Sequence, residues 1–149
     1  MDIEGAMKKW LIFIGIVALF SGYTNNELLA RQNFIIMDNG LQYLDFETGS
    51  GAVAETGMIV TVHLIGWLDF NGAKGSKFIS TYDRGKPVSF KLGTDNVMKA
   101  WSEGVRGMKT GGKRRLLVPS KLGYGEKGVA DIVPPNADLI FDVELLDVR

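Results

Sequence analysis

Asp95-Asn96-Val97-Met98-Lys99-Ala100-Trp101-Ser102-Glu103-Gly104 is the stretch that decides the fold class, because it interrupts strand patterning on both sides. Val97, Met98 and Trp101 fall at helical spacing. Asp95 stands where an N-cap carboxylate belongs and Gly104 where a helix stops, so the spacing predicts one short helix over 95–103. Before it, Met58, Val60, Val62 and Leu64 alternate on one face, Asn71-Gly72 with Gly75 marks a hairpin tip, and Val88, Phe90 and Leu92 alternate again. After it, Arg114 to Val118 reads as a short strand closed by Pro119. Leu139, Phe141, Val143 and Leu145 form the last apolar stripe, opposite Asp142 and Glu144. The expected architecture is α+β, an antiparallel sheet wrapped around one short helix.

Composition narrows the function. The chain has 149 residues, 46% of them hydrophobic, which is enough for one domain with a real core. Seventeen basic residues balance seventeen acidic ones, and no block of like charge appears, which argues against nucleic acid as the partner. There is no cysteine and the only histidine is His63, so neither a disulfide framework nor a thiolate metal site is expected, and no metal or cofactor is assigned. His63 sits between Val62 and Leu64 in a strand and reads as a hydrogen-bonded core histidine, not a general base. Asp142 and Glu144 read as the solvated face of a strand. Gly107-Met108-Lys109-Thr110-Gly111-Gly112-Lys113 has phosphate-loop spacing, but Arg114 follows where Ser or Thr should hold magnesium, and two tight turns are the better reading.

Rotation about an X–Pro bond needs no nucleophile, metal or acid–base pair. Its barrier of ~18–20 kcal/mol comes from lost amide resonance. The twisted amide is less charge-separated than the planar one. An apolar pocket therefore disfavours the ground state, and a donor placed for the twisted carbonyl favours the transition state. Trp101, Phe78, Phe90, Tyr124 and Phe141 could build such a cup or could be plain core; pattern alone leaves both open.

From about Leu41 to Val148 the chain resembles the FKBP family of macrolide-binding prolyl isomerases. The resemblance runs in order through Val60-Thr61-Val62-His63, Gly66-Trp67-Leu68, Lys77-Phe78, Asp83-Arg84-Gly85-Lys86-Pro87, Phe90-Lys91-Leu92-Gly93, Trp101-Ser102-Glu103-Gly104-Val105 and Gly107-Met108-Lys109. It is closest in Leu122-Gly123-Tyr124-Gly125, Val133-Pro134-Pro135-Asn136-Ala137 and Phe141-Asp142-Val143-Glu144-Leu145-Leu146. It implies an FKBP-like sheet around one helix and peptidyl-prolyl cis–trans isomerase activity on proline-containing polypeptides. Trp101 would be the floor under the proline ring. Phe78, Val97, Met98, Val133 and Phe141 would be walls, with Ile132 beside them. The Tyr124 hydroxyl and the Met98 N–H would each hold a carbonyl.

Three positions depart from the family pattern. Leu64 stands where a Tyr is usual, Ile79 where an Asp follows the Phe, and Val88 where an aromatic wall is common. Two members of a polar network with Arg84 have become apolar together, and replacing both by hydrocarbon can be nearly neutral. Macrolides are expected to bind weakly and isomerase activity to survive at a reduced level. The alternative is a proline-peptide binding module on the same fold with little turnover, and a weaker third reading is a holdase-like chaperone.

Lys8 and Lys9 precede an apolar run from Trp10 to Phe20, too short to span a bilayer comfortably and suited to a signal peptide. Met7 reads as the natural start. Leu19-Phe20-Ser21-Gly22-Tyr23 resembles a bacterial lipoprotein box with Tyr23 in place of the lipidated Cys; an uncleaved signal anchor is the other reading. Residues 1–22 are thus expected to be six added residues followed by a signal peptide or membrane anchor, 23–40 a linker or short helix, and 41–149 the isomerase domain. The protein would be exported in a bacterium, periplasmic or held at the membrane by its N-terminal segment.

Overall fold

The computed structural model describes residues 34–149, so the signal-peptide and anchor readings and most of the linker lie outside the described residues. Strands β1 (Ile35–Ile36), β2 (Gln42–Glu47), β3 (Ile59–Phe70), β4 (Ala73–Ser80) and β5 (Val88–Lys91) come first, then helix α1 (Lys99–Val105). Strand β6 (Lys113–Val118), a 3-10 turn at Ser120–Leu122 and strand β7 (Leu139–Val148) complete the order. All pairings are antiparallel, in the order β1-β2-β6-β7-β3-β4, with β5 also on β3. Strand β1 falls inside the stretch read as linker; its pairing of Ile36 with Gln42 turns the chain at Asp38-Asn39-Gly40.

The alternating stripes face one core. Val60, Val62 and Leu64 of β3, Leu116 and Val118 of β6, and Leu139, Phe141, Val143 and Leu145 of β7 are all buried. Strand β3 runs beyond Leu64 to Phe70 because it has partners on both sides, β7 and the β4 hairpin arm. Asn71 and Gly72 both have positive φ, the conformation of a two-residue primed hairpin turn, whereas Gly75 lies within β4 and not at the tip.

The helix differs from expectation at both ends. It starts at Lys99, four residues after Asp95, and Met98 occupies the N-cap with extended φ and ψ and no side-chain cap. The reason is tertiary. The Met98 carbonyl accepts from the N–H groups of Trp101 and Ser102, and Ser102 Oγ accepts from the Gly93 N–H at 2.6 Å, tying the preceding loop to the helix. Val97 and Met98 stay outside the helix, packed on the core. At the other end the helix runs through Gly104 to Val105, where the bare backbone of Gly104 lies against Leu116 of β6.

Arg114 occupies an inward position on β6 that strand patterning assigns to an apolar residue. Its guanidinium donates to Gly104 O at 2.9 Å and Arg106 O at 3.3 Å, the open carbonyl end of α1, and to both Asp45 oxygens at 2.6 and 2.9 Å. It also lies 4.1 Å from the Tyr43 ring centroid.

The outer face is not simply solvated. Asp142 accepts two hydrogen bonds from Arg115 and one from Lys74, and Glu144 accepts from Tyr82. Burial pushes the Asp142 carboxyl up, but these two cations outweigh it and hold it below the usual range. His63 lies on this half-exposed face and not in the core, stacked on Tyr82 at 4.3 Å and bonded through Nδ1 to Thr81 Oγ1 at 2.8 Å. The Gly107–Lys113 stretch forms two turns, closed by Met108 N–H to Val105 O and Gly112 N–H to Lys109 O.

Asp45→Ala leaves the Arg114 guanidinium buried without its carboxylate and is expected to cost about 3 kcal/mol in urea denaturation. Asp83→Ala breaks only the exposed Lys77–Asp83 pair and is expected to change stability by less than about 0.5 kcal/mol.

Candidate active site

The site assembles on the inner face where α1, β4, β7 and the loop after β6 meet. Trp101 projects from α1 and meets Phe141 of β7 edge-to-face, ring centroids 5.6 Å apart. Phe141 meets Phe78 of β4 at 5.7 Å in the same manner, and Phe78 meets Tyr124 at 6.2 Å. Perpendicular contacts at these separations are favoured by the ring quadrupoles and add about 0.5–1.5 kcal/mol each beyond area burial. Four of the residues singled out in the sequence therefore form one contiguous aromatic chain.

Their exposure divides them. Phe141 is fully buried and Val133 nearly so, whereas Trp101, Phe78 and Tyr124 are half-buried and Ile132 is 54% exposed. Phe141 thus props Trp101 and Phe78, which keep a face toward solvent. Val97, Met98, Ile79 and Val88 are half-buried and packed against the core cluster. Leu64 is fully buried, a core residue under the site.

Tyr124 is held by backbone on both sides. Gly123 and Gly125 N–H groups donate to Ser120 O, Gly128 N–H donates to Tyr124 O at 3.1 Å, and Asn136 N–H donates to Gly125 O. Burial holds the Tyr124 phenol above its ordinary value, so it remains a protonated donor at neutral pH. The Met98 N–H, just outside α1, makes no backbone hydrogen bond among the described residues. The Trp101 Nε1–H is buried with no partner among them.

The polar network of the family pattern is absent in the way its composition suggests. Arg84 is exposed, and Asp83 pairs with Lys77 at 2.6 Å instead of with its neighbour. Thr81 does the bracing that is left. Its hydroxyl accepts from the Leu64 N–H at 2.9 Å and lies 3.2 Å from the Leu64 carbonyl, fixing β3 beside Ile79. No charged side chain enters the aromatic chain of contacts.

One contributor escaped the sequence reading of the site, and Phe90, left open there between cup and core, falls beside the indole. Phe90 of β5 is buried, and its ring lies 6.0 Å from that of Trp101, tilted by 36°. Gly66 of β3 sits where a Cβ would stand 2.7 Å from Ile79 Cγ2 and Phe141 Cε1 and 2.9 Å from Phe78 Cζ. Glycine inside a long strand is the signal that could have marked it, because it commonly denotes close approach.

Residues 51–146 match the family model of FKBP-type peptidyl-prolyl cis-trans isomerases. The chain is 48% identical over 109 residues to an FK506-binding protein of Neisseria meningitidis serogroup B, covering 73% of this chain and 96% of that protein. It is 44% identical over 110 residues to the FKBP-type peptidyl-prolyl cis-trans isomerase FkpA of Escherichia coli, covering 74% of this chain and 38% of that one. The crystal structure of AtFKBP13 superposes with a TM-score of 0.70 at 34% identity, covering 78% of this chain and 99% of the other. The chain belongs to the FKBP-type peptidyl-prolyl cis–trans isomerase family.

Gly66→Ala is expected to push Phe78 and Phe141 apart. Overpacking of this kind costs about 1–3 kcal/mol, readable by denaturation. Backbone resonances of Phe78 and Phe141 should shift while those of β2 stay in place.

Proposed function

We propose that this isomerase rotates X–Pro bonds by desolvating them in the aromatic cup, with the proline ring on Trp101 and the Tyr124 hydroxyl donating to a substrate carbonyl. The observation that carries the reading is the unbroken edge-to-face series Trp101–Phe141–Phe78–Tyr124, which no charge interrupts. An apolar surround penalises the planar, more polar amide relative to the twisted one. A positioned phenol and the Met98 N–H supply hydrogen bonds without reorganisation of water. Val97, Val133 and Ile132 complete the apolar wall, with Val88 and Ile79 at its margin.

The substrates are proline-containing polypeptides. Lys8, Lys9 and the apolar run Trp10 to Phe20 support export, so the working substrates would be chains folding outside the cytoplasm of a bacterium. Among the described residues no helix is long and apolar enough to cross a membrane. Uncatalysed X–Pro steps take tens to hundreds of seconds, so modest acceleration is useful.

An NMR-exchange assay on X–Pro peptides tests the mechanism. Trp101→Ala is expected to lower kcat/KM at least about tenfold, and Tyr124→Phe by about tenfold, the equivalent of one lost hydrogen bond of ~1.4 kcal/mol. Peptide binding at the cup without turnover in the unmodified chain would instead make it a proline-peptide binding module, the reading that apolar Leu64 and Ile79 favour.

Macrolide binding is proposed to be weak, because Ile79 offers no carboxylate acceptor. Calorimetry should give a dissociation constant well above nanomolar for FK506, and Ile79→Asp should tighten it. A nanomolar value for the unmodified chain would remove Ile79 as a determinant.

A further inference from the structure

The outer face of the sheet carries a small pocket of its own, of about 150 Å³. Phe141 of β7 points inward to the cup. By strand alternation Asp142 and Glu144 beside it point outward, and Phe46, Ile65 and Tyr82 line the pocket with them.

Local structure explains the two aromatic walls. Strand β2 changes register on β6 between Asp45, opposite Arg114, and Glu47, opposite Lys113, so Phe46 is the extra residue of a bulge. A bulge re-aims side chains. Asp45 reaches Arg114, and Phe46 stands 49% exposed with the Arg115 guanidinium 4.9 Å from its ring centroid. Tyr82 is 48% exposed and stacks on His63, which its bond to Thr81 Oγ1 holds in place. The Tyr82 hydroxyl donates to Glu144 at 2.6 Å. Burial, and then the Glu144 carboxylate, push this phenol up to about 12, so it remains a donor.

One charge at the pocket is left without an ionic partner. Asp142 is shared by Arg115 and Lys74. Lys113 stands opposite Glu144 across the β6–β7 pair but reaches Glu47, at 3.3 Å. His63 stands opposite Glu144 on the other side, with its Nδ1 on Thr81. Among the described residues Glu144 has the neutral Tyr82 hydroxyl and forms no ion pair. A carboxylate between two half-exposed rings attracts a cation twice, by its own charge and through the negative ring faces. The pocket is smaller than the ~300–1,000 Å³ of small-molecule sites, a size suited to the end of one side chain.

We propose that this pocket docks a Lys or Arg side chain of a partner polypeptide, which pairs with Glu144 and lies against Phe46 and Tyr82. A partner held there leaves the aromatic cup, on the opposite face of the sheet, open.

The test uses the full chain and short proline-free peptides, Gly-Ser-X-Ser-Gly with X as Arg, Lys, Gln or Leu, titrated by NMR. The Arg and Lys peptides are expected to shift the amides of Ile65, Tyr82 and Glu144 saturably, and to bind about fivefold more tightly than the Gln peptide, the scale of one exposed cation–π contact. The amides of Trp101 and Tyr124 should stay in place. Glu144→Gln keeps an acceptor for the Tyr82 hydroxyl and removes the charge, so Arg and Gln peptides should then bind equally. Phe46→Ala should weaken the Arg peptide about threefold. Both variants should keep the melting temperature and X–Pro turnover of the unmodified chain. Equal binding of Arg, Lys and Gln peptides overturns the proposal, as does an Arg preference that survives Glu144→Gln. A Leu peptide that binds as tightly as the Arg peptide would make this an apolar site. Shifts at Ile65 and Tyr82 that grow with protein concentration alone would assign it to a second copy of the chain. Either result overturns the basic partner.

Discussion

A helix of seven residues does not persist in water on its own, and α1 has no side-chain cap at its start. Its placement depends on Arg114, which binds the carbonyls of Gly104 and Arg106 and is itself clamped by Asp45. The macrodipole adds to the attraction, since a cation at a helix C-terminus is favourable. Trp101 stands on this helix, so the ion pair between β2 and β6 also helps to place its indole. The Gly93 N–H bond to Ser102 Oγ and the packing of Gly104 on Leu116 hold the same helix.

Around that anchor the site is built by exclusion. Phe141 is fully buried and props two half-exposed rings, while Gly66 omits the side chain that would separate them. Apart from the inward Arg114–Asp45 pair, the charges of β6 and β7 lie on the outer face, where Asp142 satisfies Arg115 and Lys74 together and Glu144 takes the Tyr82 hydroxyl. A buried unpaired charge beside these rings would be costly. Leu64 and Ile79 extend the same logic, and Thr81 takes over the bracing of β3 that a larger polar network would otherwise provide.

Strong alternation marks the strands, Asn71-Gly72 marks the turn, and residue type marks the aromatics Trp101, Phe78, Tyr124 and Phe141 that the structure brings together. Period-two burial and primed-turn chemistry are local properties, legible over a few residues. The remaining features depend on contacts between distant parts of the chain. Asp95 has the chemistry of a cap but is not one, because Ser102 binds Gly93 and Val97 and Met98 turn to the core. Arg114 reads as a break in a strand's inner face until α1 is set against it. Exposure separates Phe141 and Leu64 beneath the site from Ile132 above it, and Gly66 becomes a determinant only when Phe78 and Phe141 arrive beside it. In each case the deciding partner is remote along the chain, and packing between remote elements leaves no local signature.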